Sequence, residues 1–337
     1  MNGKQVYKII SFSPYPAEIL NALFLPYKAE MQLDAELEFK VITDLSNKEM
    51  LYKALEEADI IIGDFTFERP INKEMIKYMK KVKLIQQPST GYDHIDIEAA
   101  KEANIPVSNI GGANSISVAE HTIALALSLL KRLTQAHQKT MDGIWAQQEF
   151  FNLGIFELRN KTWGIVGMGR IGREVAKRIR SFGVKIYYYD IVRLPEEKEK
   201  ELEAEYRPIN RLIAEADVIS IHVPLTPDTK HMIGEKELRR MKSTAIIINT
   251  SRGEIIDERA LAKALKNRWI FGVGVDVYSI EPPPKDHPLL QLKGENIIAT
   301  PHIAGASNEA RQSIIDISIR NVIRVLKGEE PLYVVNK

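Results

Sequence analysis

Cysteine is absent from this 337-residue chain, which excludes disulfides, thiolate metal ligands and cysteine nucleophiles and fits a reducing interior. An excess of one charge sign is absent too: 46 Lys and Arg stand against 45 Asp and Glu, a formal charge of +1. Such balance lacks the broad basic field that duplex nucleic acid or an anionic membrane attracts, so neither is expected as a partner. Long apolar runs are missing. The longest apolar helical stretch, Ile123 to Leu130, falls well short of the ~20 residues a bilayer span requires. The opening MNGKQVYKII has no apolar h-region followed by a small-residue cleavage site, so no secretory signal is expected. What is present is ordinary globular composition, 45% hydrophobic and 27% charged. The chain exceeds one typical core, so two domains are expected.

The first hundred residues alternate β-branched runs with amphipathic stretches. VYKIISF (6–12), FKVIT (39–43), DIIIG (59–63), VKLIQ (82–86) and IPVSN (105–109) read as strands. Lys48 to Ala58 and Lys73 to Lys81 have helical spacing of apolar positions. This alternation predicts an α/β domain with a parallel sheet covered by helices on both faces. A long apolar helix is expected from about Ser117 to Leu133, with Ser115 or Ser117 as its cap. The polar and aromatic stretch Thr134 to Arg159 reads as a packed arm or loop. A second alternation follows, with six strand candidates: WGIVG (163–167), KIYYYD (185–190), DVISIHV (217–223), AIIIN (245–249), FGVGVD (271–276) and NIIAT (296–300). Six is the strand number of the dinucleotide-binding doubly wound sheet. EEKEKELEAEY (196–206) reads as a solvated helix face, and Ala306 to Leu326 as a final amphipathic helix.

Residues 167–172, GMGRIG, match G-x-G-x-x-G in the context the motif needs, between an apolar strand and a helical pattern. Gly167 permits the tight turn, Gly169 offers no Cβ to block a pyrophosphate, and Gly172 lets helix and strand pack closely. Asp190 ends the next strand, where a carboxylate accepts hydrogen bonds from the adenosine ribose and repels a 2′-phosphate. NAD is therefore the expected cofactor, with Arg193 as a dissenting charge. Three polar clusters then follow strand ends: Asn249 to Gly253, Asp276 to Glu281, and Thr300 to Gly305. They offer an arginine, a carboxylate and a histidine, the parts of a hydride-transfer site for a charged oxygenated substrate. The remaining histidines (His94, His121, His137, His231, His287) fit solvent or helix-packing roles, and no metal-ligand spacing appears.

In these motifs the chain resembles the D-isomer-specific 2-hydroxyacid dehydrogenases. The matching stretches are STGYDHID (89–96), GAN (112–114), SVAEH (117–121), GMGRIG, HVPLT (222–226), NTSRG (249–253), Asp276, Glu281 and TPHIAG (300–305). The resemblance implies two doubly wound parallel-sheet domains, a Rossmann NAD-binding domain inserted in a flavodoxin-like substrate domain. On it, residues 1–110 with 301–337 form the substrate-binding domain and 111–300 the NAD-binding domain. His302 would be the general acid of reduction, Glu281 its hydrogen-bonded partner, and Arg252 the carboxylate- and carbonyl-binding fork. Ser89, Thr90 and Gly91 would receive the substrate carboxylate together with Arg252 and His302. Asp276 would anchor the nicotinamide carboxamide. Thr90, Val118, Gly167, Gly169, Arg170, Ile171, Gly172, Asp190, His222, Val223, Pro224, Thr229, Thr250, Ser251 and Gly305 would line the cofactor, and no metal is implied. Homodimerisation through the NAD-binding domain and the arm around Trp145 and Phe150-Phe151 is also implied, as is a cytoplasmic location.

Substrate identity is less constrained. Related enzymes that take a phosphate often carry an arginine after the third strand, where this chain has Gly63-Asp64-Phe65-Thr66-Phe67-Glu68 with Arg69 close by. The aspartate and two phenylalanines disfavour a phosphate and suit an apolar substituent. The short stretch after the final helix gives no expectation of a regulatory domain. A non-phosphorylated 2-oxo acid such as glyoxylate, hydroxypyruvate or a longer homologue is the expected substrate. The alternatives are a D-3-phosphoglycerate dehydrogenase and, from another class, a non-enzymatic NAD-sensing regulator. Formate enzymes of this fold generally pair Gln with His, so Glu281 argues against that activity; a phosphite-oxidising relative retains Glu and stays open.

Overall fold

The structure, a computed structural model, describes residues 4–337. It divides into two compact units: the described residues through Asn114 together with Asn308–Lys337, and Ser115–Ser307.

The first unit begins with β1 (Gln5–Ser11), α1 (Ala17–Glu30), β2 (Ala35–Val41), α2 (Lys48–Glu57), β3 (Ile60–Ile62), α3 (Lys73–Ile76), β4 (Leu84–Gln86), α4 (Ile97–Glu102) and β5 (Val107–Ser108). Its five strands are all parallel in the order β2-β1-β3-β4-β5, which is flavodoxin-like. Alternate strand residues serve two cores. Ile10, Ile61, Ile85 and Val107 face Leu51, Leu55 and Met75. Ile9, Ile60, Ile62 and Leu84 face Leu20, Phe24, Ile319, Val322 and Ile323. All five expected strands are present, but β2 starts at Ala35 rather than Phe39. Its pairing with β1, Gln5↔Ala35 through Ser11↔Val41, sets that length. The helix expected to reach Lys81 stops at Ile76. Beyond it the Tyr78 and Met79 N–H groups bond to carbonyls three residues back, which makes tight turns instead.

The second unit carries α5 (Ser115–Leu130), α6 (Leu133–Met141), α7 (Gln147–Leu153), β6 (Thr162–Val166), α8 (Arg170–Ile179), β7 (Lys185–Tyr189), α9 (Glu196–Leu202), β8 (Ala204–Tyr206), α10 (Ile209–Glu215), β9 (Val218–Ile221), α11 (Glu235–Leu238), β10 (Ile246–Asn249), α12 (Glu258–Lys266), β11 (Gly272–Val275) and β12 (Ile297–Ala299). Its sheet runs β12-β11-β10-β9-β6-β7-β8 and is parallel throughout. That order is the Rossmann arrangement with one further strand. Trp163, Ile165, Ile246 and Ile248 pack under α5 and α8 on one face. Val166, Ile219, Ile221 and Ile247 pack against α10, α11 and α12 on the other. The indole N–H of fully buried Trp163 donates to Ser220 Oγ at 2.9 Å, so the one polar atom of that large side chain is satisfied.

Three expectations are corrected here. Residues 204–206 form β8, because Ala204 to Tyr206 pair with Ile186 to Tyr188; only 196–202 are helix. The arm of 134–159 is two helices, α6 and α7, neither with a buried residue. Helix α5 begins at Ser115, and neither proposed serine caps it. Ser117 Oγ donates to Ala304 O at 2.7 Å, and Ser115 Oγ is buried without a partner. After β12, helix α13 (Asn308–Leu326) returns the chain to the first unit.

Candidate active site

The strand order of the second sheet reverses between β6 and β9, the switch point where ligands bind in such sheets. The glycine turn sits there. Gly167 has φ +97°, and a Cβ on it would lie 2.7 Å from the His222 carbonyl carbon, so the turns after β6 and β9 touch backbone to backbone. A Cβ on Gly172 would collide with Gly167 O, while one on Gly169 would meet nothing within 4 Å. Space therefore opens at the middle glycine, directly before the N-terminus of α8. Asp190 follows β7 and accepts the Met168 N–H at 2.7 Å through Oδ2, which ties it to the same turn. Burial pushes the His222 imidazole down to about 3, and both its ring nitrogens are buried without a partner. An open glycine turn on a helix N-terminus, a flanking carboxylate and an unpartnered buried ring are features a dinucleotide fits.

Farther along the sheet, the loops after β10, β11 and β12 supply the polar trio. Glu281 Oε2 lies 2.6 Å from His302 Nδ1, and its Oε1 accepts the Tyr278 N–H at 2.9 Å. Burial alone would raise the Glu281 carboxyl. The His302 contact, the Tyr278 amide and the charge of Arg252 outweigh it and hold the group below the usual carboxylate range. Glu281 engages Nδ1, one of the two distinct ring nitrogens of His302. The backbone of His302 stands at φ +54°, an unusual region for a residue with a Cβ, and such strain gathers at functional sites. Arg252 donates to Ser251 O at 2.8 Å. Its neighbour Gly253 packs so closely on Tyr278 and Ser279 that a Cβ there would collide with their backbone. The arginine loop and the glutamate loop are thus seated on each other.

Asp276 is 0% exposed. Its carboxylate accepts from Thr300 Oγ1 at 2.6 Å, Ile303 N at 2.9 Å and Ala304 N at 2.8 Å, and its carbonyl accepts the His302 N–H at 2.8 Å. It builds the turn that presents His302. His121 reinforces that turn through Thr300 Oγ1 at 3.1 Å, so its role is not helix packing alone. His287 is likewise not a solvent histidine. It is buried and meets Glu258 at 3.0 Å, while Glu258 also accepts the Ser279 N–H and hydroxyl. Glu258 is a support that strand-end reading misses, because its partners Ser279 and His287 lie 21 and 29 residues away; Tyr278 and Thr300, inside the strand-end clusters, are joined by the Tyr278 hydroxyl donating to Thr300 O at 3.2 Å.

The remaining expected residues divide. Ser251 Oγ donates to Val223 O and Thr250 meets Thr122 at 3.0 Å, which joins the β9 and β10 loops. Val223 is partly buried and Pro224 exposed; Thr229 directs its hydroxyl onto Pro224 O at 2.6 Å. Arg170 is exposed at the start of α8, Ile171 is partly buried beside it, and Gly305 is partly exposed after the His302 turn. Val118 is buried in α5, with its carbonyl bonded to Thr122. Ser89, Thr90 and Gly91 follow β4 in the other unit. There Gln87 Nε2 donates to Ser89 Oγ at 2.6 Å, Ser89 Oγ to Gly91 O at 2.8 Å, and Thr90 Oγ1 to Asn114 at 2.7 Å. Asp64, expected to face a substrate substituent, is 0% exposed and is taken up by Arg69 at 2.8 Å and Thr66. Burial of an ionised carboxylate demands such partners, so the charge turns inward.

Comparison with known proteins agrees with this geometry. A model of the family "D-isomer specific 2-hydroxyacid dehydrogenase, NAD binding domain" matches residues 123–304, inside the second unit. The chain is 43% identical over 293 residues to a glyoxylate reductase of Thermococcus litoralis, covering 86% of each. It is 40% identical over 300 residues to a D-3-phosphoglycerate dehydrogenase of Methanocaldococcus jannaschii, covering 89% of this chain and 55% of that one. A D-lactate dehydrogenase from Aquifex aeolicus, solved with NAD and lactic acid, superposes with a TM-score of 0.81 at 31% identity over 96% of both chains. Strand order, glycine turn, catalytic loops and these likenesses converge: the chain belongs to the D-isomer-specific 2-hydroxyacid dehydrogenase family and is an NAD-dependent oxidoreductase acting on the CH–OH group.

Proposed function

We propose that this protein reduces small, non-phosphorylated 2-oxo acids with NADH, glyoxylate and hydroxypyruvate being the first substrates to test. The observation that carries the reading is the 2.6 Å contact of Glu281 with His302 Nδ1, in a loop seated against the one bearing Arg252. When bound, NADH supplies the hydride. His302 Nε2 delivers the proton to the carbonyl oxygen, and in the reverse direction takes it from the hydroxyl. Glu281 fixes the orientation of the ring through Nδ1. Arg252 grips the substrate carboxylate and polarises the carbonyl with a charge-assisted fork. The amides around Ser89, Thr90 and Gly91 add hydrogen bonds to the carboxylate. Asp276 holds the His302 turn, and the second lone pair of its Oδ2 suits the nicotinamide carboxamide.

The residues named for the cofactor follow the same logic. Gly167, Gly169 and Gly172 with α8 take the pyrophosphate, and Asp190 the adenosine ribose. Arg69 is the nearest basic side chain to the β3 loop in sequence, and Asp64 already neutralises it. That leaves it poorly placed to serve a phosphorylated substrate. The domain roles follow: the Rossmann unit binds NAD, and the flavodoxin-like unit, with α13, binds substrate. Helices α6 and α7 and the turn between them expose Trp145 (82%), Met141 (70%) and Phe151 (60%), an apolar surface suited to pairing two copies. The proposed location is the cytoplasm, where NADH is regenerated; no helix of the described residues is long and apolar enough to cross a membrane. A panel of 2-oxo acids with NADH tests the substrate. Glyoxylate or hydroxypyruvate should give the highest kcat/KM, and phosphohydroxypyruvate as the best substrate would overturn the choice.

A further inference from the structure

The loop beyond Asp190 carries a cation that the cofactor reading does not use. Arg193 follows three residues after the carboxylate that faces the ribose, which is where a guanidinium would meet a 2′-phosphate. Its fork is already occupied. Arg193 Nε lies 2.9 Å from Glu199 Oε1, and Nη2 lies 2.8 Å from Oε2, a two-bond geometry that fixes orientation as well as charge. Glu199 is itself anchored. It is 11% exposed, against 64% for Arg193, and it accepts the Tyr188 hydroxyl at 2.6 Å. That hydroxyl in turn accepts the Leu194 N–H at 2.9 Å, so the carboxylate, the tyrosine and the loop backbone form one hydrogen-bonded unit. Tyr188 is fully buried in β7, two residues before Asp190. The clamp is thus built into the strand that presents the ribose-binding carboxylate. An exposed ion pair contributes little when both partners are loose; here one partner is held on a buried side chain.

We propose that Glu199 is a cofactor-specificity determinant, which acts by holding the Arg193 guanidinium so that it cannot pair with a ribose 2′-phosphate. Two carboxylates then disfavour NADP by different means: Asp190 repels the phosphate, and Glu199 occupies the cation that would otherwise accept it. Specificity of this kind rests on rejecting the wrong ligand, not only on gripping the right one. The proposal rests on the reading that Asp190 faces the adenosine ribose.

The test is calorimetric titration of the whole protein with adenosine 2′,5′-bisphosphate and with 5′-AMP, comparing Glu199→Gln, Arg193→Ala, the double variant and Asp190→Ala. Glu199→Gln should bind the bisphosphate about tenfold more tightly, one charge-assisted contact's worth, with 5′-AMP affinity kept. Arg193→Ala should leave bisphosphate affinity unchanged in the parent and abolish the gain in the Glu199→Gln background. A gain that survives without Arg193 would overturn the proposal, as would no gain in a Glu199→Gln protein that still binds 5′-AMP. Should Glu199→Gln fail to fold, Arg193→Ala alone decides: loss of bisphosphate affinity in the parent would mean the guanidinium was never sequestered. Asp190→Ala separates the two ideas. If it changes affinity for neither nucleotide, the ribose reading fails; if it strengthens bisphosphate binding while the Glu199–Arg193 pair shows no coupling, only the clamp fails.

Discussion

A single short contact sets the chemistry expected of this site. Glu281 is held below the usual carboxylate range chiefly by His302, against the opposing effect of its own burial. A group lowered in the folded state keeps its charge above its ordinary range and loses it only as pH falls through the lower folded value. Glu281 therefore stays ionised through neutral and mildly acidic pH. Glu281→Gln removes that charge, and kcat should fall about 100-fold with NADH affinity retained; a kcat within about threefold of the parent in a folded protein would show that the Glu281–His302 contact does not serve the reaction. His222 works on stability instead. Burial pushes it from 6.5 to about 3, so the unfolded chain binds its proton first and stability falls as pH drops through that window. Thermal melts at about pH 4.5 and 7.5 should show a gap that narrows in His222→Leu; an equal gap would assign the acid sensitivity elsewhere. Arg252, Glu281 and His302 were legible because each follows an apolar strand within a few residues. Glu258 and His287 were not, since their contacts with Ser279 and with each other join loops far apart in sequence.

At the level of elements, strands announced themselves, β8 excepted. All six strands expected in the second half are present: β6, β7, β9, β10 and β11 are mostly buried apolar runs, and β12 is a part-exposed apolar run at the sheet edge. β8 has only Ala204 to Tyr206, and what makes it a strand is its place beside β7. Helix α1 carries Pro26 inside it, a residue that normally ends a helix; Leu20 and Phe24, buried in the core, hold it in place. Polar α6 and α7 offered no apolar periodicity facing a core. The Arg252 loop sits tightly on the Glu281 loop. Gly253→Ala forces a methyl into backbone and should cost about 1–3 kcal/mol. It should also lower kcat by more than the folded fraction accounts for. A variant that melts early yet keeps full specific activity would show that the seat serves stability alone.

For the whole molecule, the chain's path makes one unit depend on residues from both termini. Helix α13 supplies Ile319, Val322 and Ile323 to the core that also holds Ile9 and Leu84, so deleting it should unfold the first unit; a truncated protein with unchanged circular dichroism would contradict that. The exposed Trp145 and Phe151 point to association. Light scattering should find a dimer, and Trp145→Ala with Phe151→Ala should shift it toward monomer; a parent protein that is monomeric at all concentrations would remove the arm's proposed role. The most direct measurement is of His302→Ala with glyoxylate and NADH, following turnover and, separately, NADH binding by fluorescence. Turnover should fall by about 100- to 10,000-fold with the dissociation constant for NADH within about twofold of the parent. Turnover within about threefold of the parent, in a folded protein, would mean that His302 is not the proton donor.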